Sequence, residues 1–88
     1  MMNKAEAKAI VKNVKETIEN ELQQEAQNYC DTTINDLIKE FAEKGETHVE
    51  VKAVPHHIIG RIERIVRNAG FCVSTNYAVD YMVIGWAN

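Results

Sequence analysis

An α+β fold with its elements in the order α-β-α-β-β follows from three features of the 88-residue chain. The stretch from Asn3 to Lys44 holds neither Gly nor Pro. After Gly45 the apolar spacing switches from steps of three and four to steps of two. Pro55 and Gly70 then bracket a second helical pattern, and these residue types favour the first turn and the exit of a helix. Together they predict a long N-terminal helix and a second helix packed on one face of a three-stranded mixed sheet.

The first helix rests on strong helix formers, with Ala, Glu, Lys and Gln dominating its sequence. Ala7, Val11, Val14, Ile18, Leu22, Ala26, Tyr29, Thr33, Leu37 and Phe41 recur at helical spacing and form one stripe. Cys30, Ile34 and Ile38 add a second row, so the buried face widens toward the C-terminal end. Asn3 is the expected N-cap and Gly45 the left-handed exit. Asp31-Thr32-Thr33, followed by Asp36, offers an alternative cap for a separate helix. Because the stripe keeps phase through that segment, one helix is predicted.

From Thr47 to Val54 the pattern alternates, with Val49, Val51 and Ala53 facing the core and His48, Glu50 and Lys52 facing out. Ile58, Ile59, Ile62, Ile65, Val66 and Ala69 form the apolar face of the second helix. Phe71 to Thr75 and Tyr81 to Trp86 read as two further strands. Strand, helix and strand predict a βαβ crossover, and the last strand returns as a hairpin.

A single domain spans residues 1–88, yet its parts differ in length. A helix of about 40 residues is about 60 Å long, whereas a compact body of this size is about 25–30 Å across. Residues 3–28 are therefore expected to project as an arm from an α/β body of residues 29–88. The apolar stripe Ala7, Val11, Val14, Ile18 and Leu22 would then face water unless a second copy covered it, which predicts a homodimer. The alternative is a break near Asn28 that folds the arm back. Charge favours antiparallel arms, since Lys4, Lys8, Lys12 and Lys15 precede Glu16, Glu19, Glu21 and Glu25.

Net charge is −3, so the chain as a whole lacks the positive excess of a generic nucleic-acid binder. A local candidate lies on the second helix, where His57, Arg61 and Arg64 share one flank and Arg67 lies beside it. Glu63 is placed on the opposite flank. Such a row would bind a carboxylate-rich protein or the phosphates of a nucleic acid through forked hydrogen bonds. Alternatively it is a solvated face, salt-bridged to Glu40 and Glu43 of the first helix. Tyr81 and Val83, on the sheet face away from the helices, make a second candidate for binding a protein partner.

Other chemistries lack their residues. His48, His56 and His57 have no ligand spacing suited to zinc. Cys30 and Cys72 show neither a disulfide framework nor an evident activating base. No phosphate loop, dinucleotide fingerprint or Ser-His-Asp arrangement occurs. The sequence thus predicts no cofactor, no metal and no enzymatic activity. With no apolar run long enough to span a membrane and no signal-peptide pattern, a cytoplasmic protein is expected.

A helix ending Arg67-Asn68-Ala69-Gly70, followed by Phe71-Cys72-Val73 and a last strand Met82-Val83-Ile84-Gly85-Trp86, resembles small accessory proteins of bacteriophages and prophages. That resemblance implies a protein of the host cytoplasm that acts by binding a host or viral macromolecule. It carries over no site residue. The expected function is a non-enzymatic protein-interaction module working as a homodimer, with a nucleic-acid-binding accessory factor as the alternative.

Overall fold

Helical structure runs without interruption from Lys4 to Glu43, 40 residues in all, in the computed structural model, which describes residues 1–87. Asn88, the last residue of the expected domain, lies outside the described residues. The helix has three parts: α1 (Lys4–Tyr29), a π turn (Cys30–Ile34) and α2 (Asn35–Glu43). Asn3 caps it as expected, its side-chain oxygen accepting the Glu6 amide at 2.9 Å. Gly45 ends it at a φ of 83°, a conformation glycine adopts without a Cβ penalty.

The π turn corrects the expected stripe. Ala26, Cys30, Ile34 and Ile38 recur every fourth residue, and on a regular α-helix such a row drifts by about 40° per step. In the π turn the Asn35 amide donates to the Cys30 carbonyl, five residues back, and this underwinding offsets the drift. Cys30 and Ile34 are consequently buried with Ala26, while Thr33, expected on the stripe, is exposed. Asp31 and Thr32 do not cap a new helix. Thr32 instead donates back to the Asn28 carbonyl at 2.7 Å.

Beyond Gly45 come β1 (His48–Val51), a 3₁₀ turn (His56–Ile58), α3 (Ile59–Asn68), β2 (Cys72–Asn76) and β3 (Tyr81–Gly85). The element order matches the α+β expectation, but the sheet is antiparallel, not mixed. Its strand order is β1-β3-β2, and β3 pairs antiparallel with both neighbours. β1 and β2 run the same way across α3, as a crossover requires, with β3 inserted between them. Polarity explains the choice. Met82 and Ile84 are fully buried on one face and Tyr81 and Val83 half-buried on the other, so the strand apolar on both faces takes the centre. His48, Glu50, Ser74 and Asn76 leave the edge strands polar on the open side.

Ala53 is a second correction. The strand stops at Val51, Ala53 turns at a φ of 55°, and Val54 enters the core instead, its amide donating to the Asp80 carbonyl at 3.0 Å. The core itself gathers Ala26, Cys30 and Ile34 from the long helix, Ile58, Ile59, Ile62 and Val66 from the α3 region, and Val49, Val51, Met82 and Ile84 from the sheet. Ala69, expected on the apolar face of the second helix, is exposed.

Candidate functional site

The molecule measures 65 × 24 × 20 Å, so the long helix outruns the body. The body's seat on it reaches further back than Asn28. Ala26 is fully buried, and Leu22 packs against the core cluster. Leu22 therefore belongs to the body, contrary to its place in the expected dimerisation stripe. What overhangs is the part before Glu19.

On that overhang Ala7 is exposed, and Val11, Val14 and Ile18 are 52%, 52% and 49% exposed. Ile10, which the stripe omitted, joins them at 48%. Its spacing of four from Val14 was the signal that could have placed it there. Lys4, Lys8, Lys12 and Lys15 lie beside Ala7 and Val11 on one side of the overhang.

The cationic row of α3 is mostly paired. Because α3 packs across the end of α1, Arg61 reaches Glu19 at 2.8 Å and Gln23 at 3.2 Å, and His57 Nε2 meets Glu25 at 2.9 Å. The acidic partners are thus Glu19 and Glu25 in place of the expected Glu40 and Glu43. Glu63 is not remote either. It pairs with Arg67 at 2.8 Å, one turn along the helix, and Arg67 also donates to the Val73 carbonyl at 3.1 Å. Tyr77 donates to the same Glu63 carboxylate, and that hydrogen bond holds its phenol above the ordinary value. Arg64 is exposed and, among the described residues, has no ion-pair or hydrogen-bond partner. A contiguous row of free guanidinium groups is therefore not what α3 presents.

On the open sheet face Tyr81 and Val83 are half-buried, flanked by exposed Glu50 and Ser74. A hydrogen bond to Glu50 pushes the Tyr81 phenol above its usual range. Cys72 is exposed at the edge of this face, whereas Cys30 is buried and its thiol is pushed up to about 11, mainly by burial. Phe71 and Trp86 meet edge to face, 6.5 Å between ring centroids. They close the sheet's end, where an apolar groove opens between the π turn and the end of α3.

His56 Nδ1 meets Asp80 at 2.6 Å and so ties the 3₁₀ turn to the hairpin. Among the described residues no three His, Cys, Asp or Glu side chains converge to hold a metal ion. No helix among them is long and apolar enough to cross a membrane. No protein-family model, no curated protein and no solved structure matches the chain.

Proposed function

We propose that this chain is a non-enzymatic interaction module that pairs with a second copy through the overhanging part of α1 and offers its body to another protein. One observation carries the reading: Ile10, Val11, Val14 and Ile18 lie about half exposed, at 48–52%, on a helix segment that the body does not cover. Isolated apolar residues on a surface are ordinary, but a row of four at helical spacing beyond the edge of a body is an unpartnered face.

Magnitudes set the character of the pair. Covering a half-exposed Val or Ile contributes on the order of 1 kcal/mol, and two arms supply eight such side chains. That gross gain is close to the cost of association and side-chain ordering. The dimer is therefore weak and its population depends on concentration. For the contact with a further protein, Arg64 and the Tyr81/Val83 patch remain available. The nucleic-acid alternative loses support from the pairing of Arg61 and Arg67.

Solution mass across a dilution series is the test. The unmodified chain is expected to move from dimer to monomer on dilution, while Val14→Asp is monomeric throughout with unchanged helical circular dichroism. A native chain that stays monomeric at every concentration, with its helix intact, would falsify the proposal.

A further inference from the structure

The overhang specifies more than self-association. Resting on that reading, we infer that the two arms pair antiparallel in one register, with residue positions across the seam summing to 25.

Heptad spacing over the arm puts Lys4, Ala7, Val11, Val14, Ile18 and Glu21 along one seam. An antiparallel two-fold axis between Lys12 and Asn13 sets Lys4 against the second copy's Glu21, Ala7 against its Ile18 and Val11 against its Val14. Each layer is satisfied. A small side chain faces a large one, two of equal size face each other, and the outermost layer joins opposite charges. Parallel pairing in register would instead set Lys4 on Lys4 and Glu21 on Glu21, and like charges in facing positions are destabilising. Lys4 and Glu21 are exposed, and among the described residues neither has a salt-bridge partner within its own chain.

The structure agrees with where this seam stops. Helix α1 begins at Lys4, and Leu22, the residue after Glu21, already packs on the body's core. The second copy's arm thus ends beside the last layer that is free to receive it, and the two bodies sit at opposite ends of the pair. One flank is imperfect in this arrangement. Lys8 of one copy lies near Lys15 of the other, a repulsion that antiparallel pairing creates and parallel pairing does not.

Disulfide trapping and mass together test the register, all in a Cys72→Ser background so that the exposed native thiol is absent. An equimolar mixture of Ala7→Cys and Ile18→Cys chains is expected to cross-link between the two variants, and Ala7→Cys alone is expected not to. Lys15→Glu, by turning the flank repulsion into attraction, is expected to tighten the dimer by about tenfold. Cross-linking of Ala7→Cys to itself within a stable dimer overturns the register while the proposed self-association stands. A monomer at all concentrations removes both, and a monomer that binds anionic lipid vesicles through the arm assigns the face to a lipid surface instead.

Discussion

Ile18 and Ile34 sit on the same helix, sixteen residues apart, yet one is 49% exposed and the other 2%. No cap or break separates them along the helical run from Lys4 to Glu43, although Ile34 closes the π turn. The difference is what lies opposite. Ile34 faces α3 and the sheet, whereas Ile18 precedes the point at which Glu19 first reaches the body through Arg61. Helix formation and helix burial are therefore separate matters. Local propensity and capping set the first, and tertiary neighbours supply the second along with most of the stability.

The sharpest way to break that contrast is a matched truncation in both regions. Ile62→Ala, at a fully buried site, is expected to cost about 2–5 kcal/mol of unfolding free energy through lost burial and the cavity left behind. Ile18→Ala in the monomer is expected to cost well under that, since half of its side chain already meets water. Urea unfolding of both variants at concentrations below dimerisation measures the gap. Equal losses would mean that the overhang is folded into the body's cooperative unit.

A smaller effect sharpens the account of the body. The Thr75 hydroxyl is buried on the helix-facing side of β2 with no hydrogen-bond partner. Removing an orphaned polar group recovers its desolvation penalty, so Thr75→Val is expected to raise stability by about 1 kcal/mol. No arm residue carries a comparable buried group among those described. A loss of stability on thermal melting would show that the hydroxyl has a partner in solution.

The alkaline effect of Cys30 is confined to high pH. Burial keeps the native thiol protonated up to about 11, whereas the unfolded chain gives up that proton near 9.0. Above 9.0 the unfolded state thus binds fewer protons than the native state, and stability falls as pH rises toward about 11. The contribution is fully present below that window. Cys30→Ser should flatten this slope in pH-dependent denaturation. At neutral pH a thiol reagent is expected to label Cys72 first, because it is exposed and Cys30 is not.

Reading residues alone reached the features whose causes are local. Asn3, Gly45 and Gly70 were legible as helix ends because capping and a positive φ make demands on a single residue. The overhang was legible because length follows directly from residue count. The position of β3 was not, since a strand's place in a sheet depends on competition among distant partners. Met82 and Ile84 win the centre only once α3 and the long helix cover them. Nor was the π turn, because the row Ala26, Cys30, Ile34 and Ile38 differs from a drifting α-helical row only in the helix it must face. The partners of Arg61 and His57 depended in turn on where α3 crosses the long helix, which core packing decides.

Placing β3 between β1 and β2 has a consequence for biosynthesis. Neither earlier strand has a hydrogen-bonded neighbour other than β3, so a nascent chain that has left the ribosome only as far as Asp80 displays a finished helix and two unpaired ribbons. The sheet can close only once Tyr81 to Gly85 is free to pair with both of them. Until then the ribbons' exposed amides and apolar side chains are open to misassociation.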